Sequence, residues 1–452
     1  MNTDKTDLTS GTVWKKLLVF FLPIAAGTFI QQLYNAVDGL VVARFVGTIA
    51  LAAVGGSSAQ VINVLIGFFV AVTTGAAVVI AQIYGAGKAE DVQRASGNAI
   101  AVCLLMGTAL AIFGIAAAPL MLKLLKTPDD TINAAVTYLR IYFIGVPFIL
   151  VLNMESNVLR SVGDSYSPFI YMVVGCVSNI IMDFVFVLCF KLDVAGVAIA
   201  TVLAQIINMA LLTRKLVKTD APYKLRISSL RLRGRYFAGM MRIGIPAGLQ
   251  ASMYSLSNMI IQIGFNTLGT IVVASWAMTN KIDGLCWAVN NAMGAAITTF
   301  IGQNIGAGKL DRVKLGLKQG LILTEALTVT MCTLVLLFAR PLIGLLTNDT
   351  AVVNTTNYML WFFVPFYFIW TVIEVLSGML RGVGDAVRPV IIIGLGICLY
   401  RVIYAVTVFN YFKTLESLCL VYLSSWFITA VSLIIYYRHG NWLKNSKMLI
   451  GK

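Results

Sequence analysis

The sequence predicts an all-α membrane protein of twelve transmembrane helices, arranged as two six-helix lobes related by an internal duplication. Three observations predict it: the extreme apolarity of the chain, its division into apolar runs of about 20 residues or more, and the return of the same motifs about half a chain later.

Apolarity comes first. Of 452 residues, 59% are hydrophobic and only 12% charged, and mean hydropathy is +0.87. A soluble protein of this composition would be covered in apolar surface, so the chain needs lipid as its solvent. No polar stretch is long enough for a soluble domain of any size. The net charge of +15 is spread over short loops rather than gathered into a basic domain, which argues against nucleic acid as a partner and for membrane topology. Seven cysteines stand singly with no CxxC spacing and read as small core hydrophobes. His439 is the one histidine, so neither a His-ligated metal nor a Ser-His-Asp triad can be assembled, and no catalytic residue and no cofactor is expected.

The apolar runs give spans at 17–43, 51–83, 95–122, 131–156, 166–190, 195–216, 237–266, 271–303, 316–339, 354–379, 388–411 and 416–437. The polar start of the chain carries no cleavage site after its first apolar run, which is expected to be a retained helix. Most lysines and arginines fall on one set of alternating loops together with both termini, so that side is expected to be cytoplasmic and the protein a multi-pass one of the cell membrane.

The duplication is read from self-comparison. Leu22–Asn35 matches Gly244–Asn258, pairing Pro23 with Pro246 and Asn35 with Asn258; Ala81–Val92 matches Gly302–Val313 around a shared GAGK; Leu159–Asp164 (LRSVGD) matches Leu380–Asp385 (LRGVGD). With six spans in each copy, the halves share one orientation and relate by an axis along the membrane normal. The expected division is 1–214 as N-terminal lobe, 215–236 as a basic cytoplasmic linker, and 237–452 as C-terminal lobe and tail. The GAGK turns lack the G-x-x-x-x-G-K-[ST] spacing and follow apolar spans, so a phosphate loop is rejected in favour of tight turns.

Taken as a set and in order, QQLYNAVDG with VARFVGTIALAAVG, the GAGK turn, LRSVGD, and Asn179 with Asp183 resemble the multidrug and toxic compound extrusion (MATE) family over nearly the whole chain. The resemblance implies export of small organic compounds, cationic or amphipathic, by alternating access in antiport with protons or sodium, in a protein that is no enzyme. It is closest to the DinF-like branch, because residues 237–266 lack the acid that the NorM-type branch carries in its seventh span.

Ionisable groups inside spans are functional candidates by default; here they are Asp38, Glu155, Asp183, Lys281, Asp283, Glu325, Glu374 and Arg401. Gln31, Asn35 and Asp38 share one face of the first helix, while in the second copy Ile261 stands at the position of Asp38. Asn179 and Asp183 share a face of the fifth span, and Thr201 and Gln205 one of the sixth. Two carboxyls, an amide and a hydroxyl make an oxygen-rich set suited to a proton or a hard cation. The resemblance places Asp38, Asn179, Asp183 and Thr201 together as the coupling site, sodium being the metal it could hold. Neighbouring carboxyls resist double ionisation, so such a site takes up one or the other. Structural hydrogen bonding between helices is the plainer alternative, about as good for Thr201, Gln205 and Gln31. Glu155, near a span end, reads as an end-of-helix charge. Arg160 with Asp164, and Arg381 with Asp385, are candidate latches.

The expected substrate cavity comprises Gln31, Tyr34, Asn35, Gln205, Met253, Tyr254, Asn258, Asp283, Trp287 and Glu374, because aromatic faces and pliable Met side chains suit varied ligands. A cavity inside one duplicated chain needs no partner besides membrane lipid and substrate, so a functional monomer is expected. Three other readings compete. A lipid-linked oligosaccharide flippase needs a more cationic cavity, an intramembrane enzyme lacks its metal motifs, and a channel would repeat its acids as a ring.

Overall fold

The computed structural model describes residues 7–443. It is all helical, with twelve long helical segments among the described residues. Those of the first copy are α1 (Val13–Val46), α2 (Ile49–Gly85), α3 (Ala89–Leu124), α4 (Asp129–Ser161), α5 (Tyr166–Cys189) and α6 (Asp193–Lys218). In the second copy follow α7 (Gly234–Thr267), α8 (Thr270–Gly306), α9 (Leu310–Leu337), α10 (Thr350–Val383), α11 (Val387–Phe412) and α12 (Leu415–His439). Ten are long and apolar enough to cross a membrane by length and composition. The other two, α7 and α8, are long enough but interrupted by polar side chains such as Gln250, Asn258, Gln262, Lys281 and Asp283.

Several helices outrun their apolar cores. Helix α3 starts at Ala89 rather than 95, and α4 runs on to Ser161 rather than 156. Hydropathy marks the part of a helix that lipid can solvate, whereas the backbone ladder continues until a cap stops it. The matched motifs LRSVGD and LRGVGD show how it stops. Gly163 (φ 88°) and Gly384 (φ 92°) take the left-handed conformation. Their N–H groups donate to Arg160 O and Arg381 O, and the following Asp164 and Asp385 N–H groups to Leu159 O and Leu380 O, each at 2.9 Å. This is the Schellman closure, which a residue with a Cβ would strain.

The chain divides into two compact units. One comprises residues 1–7 and 22–248, the other 8–21 and 249–452. In the first, the segment after α6 folds back onto α3: Gln93 Nε2 donates to Lys224 O at 2.8 Å and Asn98 Nδ2 to Arg231 O at 3.0 Å. Its helices approach through glycines, Gly107 facing the Pro147 backbone and Gly75 facing Gly244, a mode suited to lipid, where close packing takes over from hydrophobic driving force. In the second unit the segment before α1 is tied to α8 and α9, Asn304 Nδ2 donating to Leu8 O at 3.2 Å and Arg312 Nη1 to Gly11 O at 2.8 Å.

Sequence spacing does not announce the π-helical turns. They end α1 (Val42–Val46) and α5 (Val185–Cys189), and in α11 they flank Tyr400–Tyr404 on both sides, at Gly394–Leu399 and Ala405–Phe409. Such wide turns insert a residue and rotate the side chains beyond it; they recur at functional positions. Asp38, Asp183 and Arg401 each lie within one turn of such a segment.

Candidate cation-coupling site and lobe cavities

In the first unit the Asp38 carboxyl on α1 lies beside the Asp183 carboxyl on α5. Only one orientation of the Asn179 amide satisfies its surroundings: the nitrogen donates to Asp183 Oδ2 at 2.9 Å and the oxygen accepts from the Thr201 N–H at 3.1 Å. The Thr201 hydroxyl donates to Val197 O at 3.0 Å, and the Tyr34 phenol of α1 lies beside it. Asn179 and Asp183 are each 1% exposed and Thr201 6%. The four residues expected at a coupling site, on three helices, are therefore together, and Tyr34, expected in the substrate cavity, joins them.

The surroundings restrict water. Val42, Ala50, Tyr138, Val187 and Val197 form a buried apolar cluster beside the π-helical ends of α1 and α5. Oδ1 of Asp38 and Oδ1 of Asp183 are both buried with no other donor. Oxygens in that condition favour taking up a proton or a cation. No cluster of three or more His, Cys, Asp or Glu exists among the described residues, and two carboxyls with neutral oxygens are a set that suits sodium or a proton better than a transition metal.

Next to this site lies a cavity of about 440 Å³, which Gln31, Tyr34, Gln205 and Asn179 line. Sequence reasoning missed its other polar walls, Asn153, Asn157, Arg160 and Asn208. The signal was present: Asn153, Asn157 and Arg160 share a face of α4, and Asn208 extends the Thr201–Gln205 face of α6. A second cavity, of about 340 Å³, lies in the other unit and takes Tyr254, Asn258, Asp283 and Trp287. The single expected substrate set thus divides between two lobes. Asn35, Met253 and Glu374 line neither cavity: Asn35 is exposed, Met253 packs against Gly394, and Glu374 turns to an arginine of its own helix.

The charge pairs differ from those read by proximity in sequence. Arg381 bonds Glu374 at 3.0 Å, not Asp385. Asp385 takes Arg388 at 3.2 Å and the Tyr436 hydroxyl at 2.5 Å. Asp164 takes Lys215 at 3.1 Å rather than Arg160, whose Nε is buried without a partner. In both motifs the Schellman turn points the aspartate toward the next helix, away from the arginine behind it. Glu155 is no end-of-helix charge, because α4 continues past it. It is 1% exposed and accepts from Thr213 of α6 at 2.5 Å.

The family model MatE matches the chain twice, over residues 23–185 and 246–407. The probable multidrug resistance protein YpnP of Bacillus subtilis (strain 168) is 30% identical across 96% of this chain and 97% of its own. The chain belongs to the MATE family. Other MATE relatives include the probable multidrug resistance protein NorM of Thermotoga maritima, 24% identical over 88% of this chain and 86% of that protein, and the multidrug export protein MepA of Staphylococcus saprophyticus, 20% identical over 83% and 82%. The fold agrees with that of a multidrug resistance MATE transporter solved in an outward-facing conformation, with a TM-score of 0.90 at 21% identity over 99% of each chain. The MATE chain is accordingly a multi-pass membrane transporter, and the twofold family match corresponds to the internal repeat.

The Glu374–Arg381 pair carries a prediction. Glu374 packs against Gly294 and keeps its arginine on one helix, the geometry of a structural pair in a MATE lobe with no acid on α7. Glu374→Gln retains an acceptor for Arg381, so transport is expected to fall less than in Asp183→Asn at matched expression. Complete loss in both would make the second lobe's carboxyl essential.

Proposed function

We propose that this MATE protein exports amphipathic organic compounds by alternating access, in antiport with protons or sodium, and that Asp38 and Asp183 with Asn179, Thr201 and Tyr34 form the coupling site. The observation that carries this reading is the buried carboxyl pair, held between α1 and α5 beside a polar cavity. A single proton or sodium ion entering the pair lowers its charge from two negative to one. Its departure leaves two negative charges in contact, and the repulsion favours a rearrangement of α1 against α5. The π-helical turns after Asp38 and Asp183 are points where either helix can change its register without breaking the ladder. Substrate in the adjacent cavity and cation in the pair would then compete for one arrangement of α1, the requirement for antiport.

The test is efflux of a fluorescent organic compound from proteoliposomes under separately imposed proton and sodium gradients. Acceleration by one of them identifies the coupling ion; indifference to both removes the antiport mechanism. The DinF-like assignment rests on the absence of an acid from α7. A flippase reading is weaker: Arg160 is the one basic side chain lining the N-lobe cavity, against a substrate with two phosphates.

Both termini and the segment around Arg226–Arg235 are proposed to be cytoplasmic, on the charge asymmetry of the loops. Single cysteines placed at 220 and 232 in a cysteine-depleted background should resist a membrane-impermeant maleimide in intact cells and react after permeabilisation. Labelling in intact cells would invert the topology.

A further inference from the structure

The cavity of the second unit has a chemistry of its own. Its walls are aromatic: Trp287 and Trp370 lie 4.5 Å apart between ring centroids, Tyr254 lies 5.9 Å from Trp370, and Tyr422 and Trp426 complete the wall. Into it faces Arg401, 3% exposed. Its Nε donates to Ser425 Oγ at 3.1 Å and its Nη1 to Asn258 Oδ1 at 3.1 Å, both neutral acceptors. None of the ion pairs found among the described residues includes Arg401. The guanidinium is therefore fixed in position by two hydrogen bonds with no carboxylate at ion-pair distance, a costly arrangement in a membrane span.

Two further observations point to a ligand. Trp370 and Trp426 are each 2% exposed, line the cavity and leave their Nε1–H groups without an acceptor. Buried indole N–H groups ordinarily find one. The acid of the cavity, Asp283, accepts from Trp287 Nε1 at 2.8 Å within the wall and lies beside the Tyr367 hydroxyl, its Oδ1 buried without a partner. The cavity thus offers a cation and unused donors against one carboxyl that the protein has partly satisfied. The Tyr422 face, where an organic cation would settle, is taken by Arg401 itself, 4.1 Å from the ring centroid.

We propose that this cavity binds a planar aromatic compound bearing an anionic group, its ring stacked among Trp287, Trp370 and Tyr254 and its anion on Arg401 and an indole N–H. The π-helical turns on either side of Tyr400–Tyr404 give α11 the freedom to seat the guanidinium. The inference rests on the transport reading only in taking the occupant as cargo, and it differs from the cationic cargo that the resemblance implies.

Four of the seven tryptophans line this cavity, so quenching of their emission in purified protein in lipid nanodiscs, checked by calorimetry, reports occupancy directly. The probes are 6-hydroxy-2-naphthoate, its methyl ester, and 2-naphthylmethylammonium. In the wild-type protein the carboxylate is expected to bind at least about tenfold more tightly than the ester or the amine, the worth of a charge-assisted hydrogen bond. Arg401→Gln should bring the carboxylate to the level of the ester and leave the ester unchanged, and Arg401→Lys should restore part of the preference. Equal binding of the three probes, or tighter binding of the amine, overturns the proposal in the wild-type protein, where folding of a variant is not in question. A preference that survives Arg401→Gln overturns the role of the arginine. Binding is measured without a gradient, so a failed coupling mechanism and a failed ligand assignment give different results.

Discussion

Asp183→Asn is expected to abolish gradient-driven efflux while the protein remains folded and still binds substrate. The substitution preserves size and keeps an oxygen where Asn179 Nδ2 donates at 2.9 Å, so that bond within α5 survives. What disappears is the titratable carboxyl that faces Asp38. Asp38→Asn should have the same effect from the other helix. Because one pair performs one task, the double substitution should add little to either single one. Transport assayed in proteoliposomes at matched protein content decides it. Wild-type efflux in both single variants, or additive losses in the double, would mean that the two carboxyls do not act as a unit.

The second large effect is structural. At Gly75 on α2, a Cβ would stand 2.7 Å from Gly244 Cα and closer still to the Met240 carbonyl oxygen. These are backbone atoms, which cannot rotate away as a side chain can. Overpacking of a core costs about 1–3 kcal/mol, and a collision between two backbones belongs at the top of that range or beyond. Gly75→Val should therefore eliminate most of the monodisperse protein and lower the melting temperature of what remains. Gly55→Ala on the same helix, where an added Cβ meets nothing within 4 Å, serves as the control and should melt like wild type. A Gly75→Val protein as stable as the control would mean that α2 and α7 do not pack at this position.

The contrast between these two predictions shows where sequence reasoning reached. Spacing along one helix is a property of the sequence, so the shared face of Asn179 and Asp183, and that of Gln31, Asn35 and Asp38, could be read directly. Polar faces inside apolar spans then mark where protein or water must lie. The same argument reaches Asn153, Asn157 and Arg160, which the N-lobe cavity uses. It fails for Asn35 and Asp38, three residues apart on one face, of which the first is exposed and the second is turned to Asp183. It fails likewise at Arg160 and Arg381, where the left-handed glycine after the helix directs the following aspartate elsewhere.

The sequence by itself determined that the chain lives in lipid, that its two halves are copies, and that they diverged where Ile261 stands opposite Asp38. Composition sets the solvent, and repetition needs no three-dimensional knowledge to detect. The tertiary structure alone decided that Tyr34 joins Thr201 beside the carboxyl pair, which only the resemblance had implied, that the expected substrate residues separate into two cavities, and that Arg401 faces one of them with no ion pair. Each of these depends on which helices are neighbours and on how far a π-helical turn rotates one against another. Period and propensity within a helix are silent about its neighbours, because packing between helices is settled by the shapes of side chains distant in sequence.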